Sequence, residues 1–485
     1  MTHEHCHDDH PAPGRHRADS EKLHARGLPM SAVSARIERL PFGKYHRHLL
    51  LLGGLGYAFD AMDAAVIAFV LPVLKSSWQL DGPQLGIVAS ANFIGFFFGA
   101  LSAGALGDLI GRRRIMMWAL VVYCVASFFS AMSNEWGIFI ALRIIAGIGT
   151  GAESAIIAPY LSEFVPRRYR GIFTGALAGF FSFGFIAAAL LGRYIITPDF
   201  EQGWRVVILI TSTPVLMLLW WRRRLLESPR WLESQGRTDE ALEVVAKMEQ
   251  QVMREFPVLP QVDAEELDTP PPVVKQESLF AKYAFLLSKK LRPITIMTWC
   301  MWLSITFCYY SFFSWIPTLL IQNGMTLTKS FTYALVMYIA QTPGYFSAAW
   351  FNEKIGRQAT VVSYMVLGSL AAIGMAYARS DAQVMTMGIL LSFFMNGAYA
   401  GIYAYTPEVF PTHVRTIGTG LASAIGRIGG ITAPIMVGFT YETYGFIGVF
   451  GATTVILFLG AGAVLIMGIP TKGKSLEQIA ASKLS

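Results

Sequence analysis

Charge is what this chain has least of. Only 15% of its 485 residues are Asp, Glu, Lys or Arg, where soluble domains carry about 25%. With 54% apolar residues and a mean hydropathy of +0.46, that scarcity excludes a soluble globular protein. A nucleic-acid binder is excluded differently. The net charge is +7, but the Lys and Arg sit in short connections between apolar runs, where bilayer topology puts them. Cysteine is scarce too. The four, at 6, 124, 300 and 308, make no disulfide framework, and three lie in or near apolar runs as small buried hydrophobes. Histidine nearly vanishes from the body, since eight of the nine fall before residue 49. No nucleotide loop occurs, and no metal-ligand spacing appears outside the ragged HEHCHDDH at 3–10. An enzyme, a resident metal and a cofactor therefore have no support. The His stretch reads as a polar tail that chelates incidentally, with loose metal binding as the other reading. It is too polar and too long for a cleaved signal peptide.

What fills the chain is apolar runs. Twelve fall at roughly 49–74, 84–107, 115–133, 138–161, 172–194, 204–221, 293–321, 328–351, 359–378, 383–406, 416–440 and 445–467, near the length of about 20 that a spanning helix needs. The expectation is an all-α membrane protein of twelve transmembrane helices in two six-helix halves. The divisions are a His-rich tail at 1–48, a first half at 49–221, a linker at 222–292, a second half at 293–467 and a tail at 468–485. The linker opens with Arg222-Arg223-Arg224, carries an amphipathic stretch near 237–254, and passes Pro257, Pro260 and Pro270-Pro271-Pro272. Arg112–Arg114, Arg167, Arg168, Arg170, Arg222–Arg224, Arg230, Lys354, Arg357, Arg415, Lys472 and Lys474 all fall on one side of a twelve-span path. That side is cytoplasmic, so both termini and the linker are expected inside, in the cell (inner) membrane.

One pattern is written twice. Gly107-Asp108-Leu109-Ile110-Gly111-Arg112 returns 245 residues later as Asn352-Glu353-Lys354-Ile355-Gly356-Arg357. At the same offset, Glu163, Pro166 and Arg170 return as Glu408, Pro411 and Arg415. This is a duplicated, charge-tagged bundle of the transporter kind. Gly111 and Gly356 suit a tight turn. Asp108, Arg112, Glu353 and Arg357 can form helix-end contacts that close one side and break when it opens.

Ionisable groups within apolar runs are costly and functional by default. They are Asp60 and Asp63 in the first run, Arg143 and Glu153 in the fourth, and Arg427 in the eleventh. Counted from the doubled marks, Asp60, Asp63, Glu153, Arg427, Asn396 and Gln341 all lie about 15–21 Å deep, near the middle of a core about 30 Å thick. Shifting by 245 turns Asp60 into Ile305, Asp63 into Cys308, Arg143 into Gly388 and Glu153 into Ala398. The acids are thus no part of the shared scaffold. A carboxyl in low dielectric favours its neutral form, which makes Asp60 and Glu153 candidate proton carriers. Arg143 is about 15 Å along its helix from Glu153, so it pairs more readily with Asp63. Arg427 has no acid at its depth in its own half. Its planar fork suits a carboxylate, with backbone carbonyls or a cross-half pairing to Asp60 or Glu153 as alternatives. Trp302, Thr306 and Tyr399 can stack on or hydrogen-bond a planar ring, and Asn396 and Gln341 can read a ring nitrogen or carbonyl.

GDLIGRRR at 107–114 resembles the loop signature of the major facilitator superfamily, NEKIGR at 352–357 its second copy, and RIIAGIGTG at 143–151 its fourth-helix motif. LLESPRWL at 225–232 and PTKGKSLEQI at 470–479 are similar to the PESPRWL and PETKGKSLEEI elements of sugar-porter-like members. Leu226 replaces the leading proline and the acid of PET is missing, which implies a relative outside the sugar group proper. FDAMDAAVIAFVLPVL at 59–74 resembles the first helix of the bacterial niacin transporter branch, near the aromatic-acid/proton symporters. Those usually show Asp-Gly-x-Asp. Here Asp60-Ala61-Met62-Asp63 keeps the acids without the glycine. The resemblance implies a proton link for Arg143 and proton-coupled uptake of a small aromatic acid such as nicotinate. An efflux, sugar or organic-ion porter and a transport-dead sensor are the rivals. A monomer is expected, because one chain holds both halves of its pathway.

Overall fold

The computed structural model describes residues 32–261, 279–411 and 414–472. The His stretch at 3–10, Pro270–Pro272 and most of the PTKGKSLEQI ending lie outside the described residues. Among the described residues the chain is helical throughout. A short α1 (Ala32–Glu38) precedes α2 (Lys44–Trp78), α3 (Gly82–Ile110), α4 (Arg112–Met132), α5 (Trp136–Ser162) and α6 (Arg167–Ile195). The next run is broken into α7 (Gly203–Thr211), a 3₁₀ turn (Thr213–Leu216) and α8 (Met217–Arg224), with Pro214 at the break. The linker holds α9 (Pro229–Ser234), α10 (Thr238–Met253) and α11 (Leu279–Leu286). Then come α12 (Arg292–Gln322), α13 (Leu327–Lys354), α14 (Arg357–Ala376), α15 (Asp381–Val409) and α16 (Arg415–Met467).

Among the described residues ten helices, counting α7 and α8 as one, are long and apolar enough to cross a bilayer, rather than the twelve read from sequence. Two facts account for the difference. The runs at 416–440 and 445–467 are two helices that run together as the 53-residue α16 across a kink at Gly445, where φ is 64° and ψ −157°. α13 has the length but is diluted by Thr328, Lys329, Ser330, Thr332, Gln341 and Thr342.

Small residues set the helix spacing. α3 and α5 meet along a seam of four glycines. A Cβ on Gly95 would stand 1.9 Å from the Ile144 carbonyl oxygen, one on Gly99 2.1 Å from that of Ile148, one on Gly147 2.1 Å from that of Asn92, and one on Gly151 2.2 Å from that of Phe96. In lipid, where no hydrophobic force draws helices together, such close approach supplies the packing. The seam fixes the axial position of α5, which carries Arg143 and Glu153.

α1 docks on the linker. Val33, Ile37 and Leu40 are buried with Val245, Met248 and Val252 of α10. Glu249 accepts from Arg36 at 2.5 Å and Arg39 at 2.6 Å. Glu38 accepts from Arg170 at 2.9 Å, Arg230 at 3.1 Å and the Arg167 backbone N–H at 2.5 Å. Partial burial alone would raise the Glu249 carboxyl, but the Arg36 and Arg39 guanidiniums outweigh it and hold it below the usual carboxylate range. A depressed carboxyl stabilises above its unfolded titration range, and that stabilisation fades as pH falls through its folded value.

Two outcomes follow from this packing. Gly147→Val should cost about 1–3 kcal/mol or more by overpacking against backbone, seen as a lower melting temperature in detergent, while Gly179→Ala, with nothing within 4 Å, should leave it unchanged or higher. Glu249→Gln should speed hydrogen exchange in residues 32–38 at pH 7, and acidifying the wild type should reproduce that loosening. Exchange identical in variant and wild type would remove the ion pairs from the docking.

Candidate functional site

The repeat read from sequence is also a repeat of contacts. Arg112 pairs with Glu163, and 245 residues on Arg357 pairs with Glu408 at 3.0 Å. Arg112 also reaches Asp108 at 3.6 Å, as Arg357 reaches Glu353 at 2.9 Å. Arg170 donates to the Val165 carbonyl at 2.9 Å, and Arg415 to that of Phe410 at 3.4 Å. Gly111 and Gly356 hold φ of 109° and 94°, a region that a side chain disfavours. Each loop is clamped to elements of its own set of helices. The first loop also takes in the element at 227–231. Glu227 accepts from the Arg113 backbone N–H at 3.1 Å, Ser228 bonds Glu163, and Trp231 Nε1 donates to the Asp108 carbonyl at 2.9 Å.

The intramembrane charges sort into two states. Asp63 and Arg143 are 0% and 1% exposed and form a bidentate pair, with Nη1 and Nη2 at 2.9 and 2.8 Å from the two carboxylate oxygens. Thr211 of α7 donates to Asp63 at 2.9 Å, and Arg143 also reaches the Asp63 carbonyl at 3.2 Å. Asp60 and Glu153 are equally buried, at 3% and 0%, yet none of their four oxygens has a hydrogen-bond partner. Glu153 lies against α2, where a Cβ on Gly56 would stand 2.8 Å from its Oε1. Gly56 is one turn before Asp60, and the two carboxyls are electrostatic neighbours.

The other candidates gather in the second set. Thr306 Oγ1 and the Tyr399 hydroxyl lie 2.9 Å apart, and the Trp302 ring meets Tyr399 edge-on at 6.1 Å. Trp302 Nε1 donates to Thr406 at 2.9 Å. The Tyr309 hydroxyl donates to Gln341 Oε1 at 3.2 Å and leaves Gln341 Nε2 buried without a partner. Asn396 donates to the Ser392 carbonyl at 3.0 Å, and its Oδ1 is unpartnered. Gly426 and Gly430 let α16 lie on Trp302, Thr306 and Tyr310, which brings Arg427 to this cluster. Its guanidinium sits 4.5 Å from the Phe96 ring of α3, and among the described residues no carboxylate lies within 4 Å of it. Neither Asp60 nor Glu153 is brought to it. Asn92, 2% exposed with both amide atoms unpartnered, was missed, although an Asn inside an apolar run was a signal. Tyr309 was passed over among many aromatics.

Contacts between the two sets lie at mid-depth or toward the end opposite the clamped loops. Glu442 accepts from the Gly82 N–H at 2.5 Å, Ser90 donates to the Ile431 carbonyl at 2.7 Å, and Arg193 donates to Thr332 at 2.7 Å. Phe93 packs on Tyr310, Phe69 on Phe331 and Phe185 on Tyr338. A small cavity between the sets is lined by Ala64, Ala68, Phe93, Phe185, Tyr310 and Tyr338.

Buried charges held within two packed sets of membrane helices define a multi-spanning transporter. The chain belongs to the sugar (and other) transporter family, whose model matches residues 53–482. It is 38% identical to the niacin transporter NiaP of Acinetobacter baylyi over 451 residues, covering 93% of this chain and all of that one. It is 33% identical to the putative niacin/nicotinamide transporter NiaP of Bacillus subtilis, with 89% and 98% covered. The fold matches a bacterial homologue of the human lysosomal transporter Spinster at a TM-score of 0.72 and 14% identity, with 92% and 100% covered. It also matches the xylose transporter XylE of Escherichia coli at 0.70 and 16%, with 90% and 100% covered. The chain is thus a major facilitator transporter related to the niacin-transporter branch, a multi-pass membrane protein with a transport role rather than a catalytic one.

Asp63→Asn or Arg143→Gln alone should each cost about 3–5 kcal/mol by stranding the buried partner, read as lost thermal stability in detergent. The double variant should recover much of it. A double variant as unstable as the sum of the singles would deny the pairing an energetic role.

Proposed function

We propose that this chain takes up a small aromatic monocarboxylate, most specifically nicotinate, together with protons, by alternating access between two six-helix halves at 49–221 and 293–467. The halves are joined by the linker at 222–292. In this reading the chain crosses the inner membrane twelve times. The 53-residue α16 counts as two passes about Gly445 and α13 as one, with both termini and the clamped loops cytoplasmic. The observation that carries the reading is Arg427, a guanidinium without an acid partner beside an aromatic and amide cluster. A planar carboxylate satisfies its fork, and Trp302, Thr306, Tyr399, Gln341 and Asn396 offer a ring its stacking faces and hydrogen bonds. The names of the two bacterial relatives point to the same substrate.

Proton coupling is assigned to the unbonded acids. A buried carboxylate without a partner is too costly to keep ionised, so Asp60 and Glu153 carry protons, while Asp63 and Arg143 form the fixed pair that holds α2 against α5. Asp108, Arg112, Glu353 and Arg357, expected from sequence to part when one side opens, are paired within their own sets instead, and in this reading they keep each loop rigid while the halves rock. A sugar carrier is less favoured, because an uncharged substrate leaves Arg427 unsatisfied.

Proteoliposome uptake of labelled nicotinate should require an inward proton gradient. Gradient-independent flux sinks the symport, and flux of benzoate-like acids without nicotinate moves the substrate. Arg427→Ala should raise the half-saturating nicotinate concentration about 10- to 100-fold, the loss of one charge-assisted hydrogen-bonded contact. Unchanged affinity removes Arg427 from the site. Asp60→Asn and Glu153→Gln should impair gradient-driven uptake more than counterflow exchange, and equal loss of both would make these acids structural.

A further inference from the structure

The loop end of the molecule carries arginines that neither the clamps nor the transport site uses. Arg113 and Arg114 open α4, and Arg222, Arg223 and Arg224 close α8. The Arg113 guanidinium donates to the Arg222 carbonyl at 2.8 Å, tying the two helix ends together and gathering five like charges. Among the described residues none of the five has a carboxylate within 4 Å of its side chain. Glu227, the nearest acid by contact, spends its Oε1 on the backbone N–H groups of Arg113 and Ser228. Arg114, Arg222, Arg223 and Arg224 are exposed. Such a grouping pays mutual repulsion with no internal compensation.

The surface beneath it is apolar. Trp118, one turn after Arg114, is 65% exposed, and Leu219, at 65%, precedes Arg222 and Arg223 by about a turn, with Leu216, at 68%, in the 3₁₀ turn before it. On α4 and at the start of α8, exposed apolar side chains therefore lie close in sequence to exposed arginines. An exposed apolar surface bordered by unpaired cations complements an anionic amphiphile.

We propose that the ends of α4 and α8 form a binding site for an anionic phospholipid. Its phosphate rests on Arg114, Arg222 and Arg223, and its acyl chains lie along Trp118, Leu216 and Leu219. Juxtamembrane arginines are drawn to an anionic leaflet. This site neutralises the repulsion and braces the broken α7–α8 segment against α4. It does not depend on the substrate assignment.

The test uses purified full-length protein stripped of lipid in detergent. Adding phosphatidylglycerol should raise the melting temperature by several degrees, and phosphatidylcholine should not. In Arg114→Gln/Arg222→Gln/Arg223→Gln the apparent phosphatidylglycerol affinity should fall at least about 10-fold. A control with equal charge loss elsewhere, Lys247→Gln/Arg254→Gln/Lys289→Gln, should keep it. Should the first triple fail to fold, single Arg114→Gln and Arg223→Gln should each reduce phosphatidylglycerol retained in native mass spectra. Equal stabilisation by phosphatidylcholine, an unaltered response in the singles or triple, or the same shift with free glycerol phosphate would each overturn the lipid site.

Discussion

The cost of an unpaired charge in hydrocarbon governs this molecule. Nearly every charged group in the spans has been removed, and the survivors show two ways of living with that cost. Asp63 and Arg143 meet it by a bidentate pair, with Thr211 adding a hydrogen bond to the carboxylate and only Arg143 Nε left unpartnered. Asp60, Glu153 and Arg427 do not meet it internally. Two buried acids without a single hydrogen bond and a guanidinium resting on an aromatic face are incomplete as they stand. In a soluble enzyme, water would fill such gaps. Here the partners that complete them are the species that move, which on the proposed reading are a proton for each acid and a carboxylate for the arginine.

The duplication matters because it separates rigidity from function. Three contacts of Arg112 and Arg170 recur at Arg357 and Arg415 with partners also displaced by 245 residues. Those contacts stay within one set of helices, so rocking the sets past each other leaves them intact. What the repeat does not copy is where the two sets have specialised. The first set holds the acids and the second holds the arginine and the aromatics. On the proposed reading, proton and substrate bind different halves, and the interface between them couples the two.

Much of this was legible in the chain. The apolar runs, the doubled loops, the polar midplane residues and the preference of Arg143 for Asp63 follow from spacing and from the penalty on buried charge. The amphipathic stretch near 237–254 became α10 (Thr238–Met253). Illegible were features made by distant partners. Glu38 with Arg170 and Arg230, and Glu249 with Arg36 and Arg39, join residues more than a hundred positions apart, and nothing in one sequence chooses among so many arginines. The boundary between the last two runs was legible as well, since the non-helical kink at Gly445, where φ is 64°, falls where the runs at 416–440 and 445–467 divide.

Arg427 also links occupancy to movement. It belongs to the second set, but its guanidinium rests on Phe96 of the first, at the inner limit of the contacts that hold the sets together. A cation–π contact there is worth about 0.5–2 kcal/mol, whereas a hydrogen bond to a charged group contributes about 1.5–3 kcal/mol. On the proposed reading a carboxylate arriving at Arg427 bonds the edge of the guanidinium, while the ring keeps its face. Gly82 to Glu442, Ser90 to Ile431 and Arg193 to Thr332, with the ring contacts of Phe93, Phe69 and Phe185, also join the sets. On the proposed reading the anion binds at a side chain that also touches the other set, so occupancy and the interface between the sets meet at Arg427.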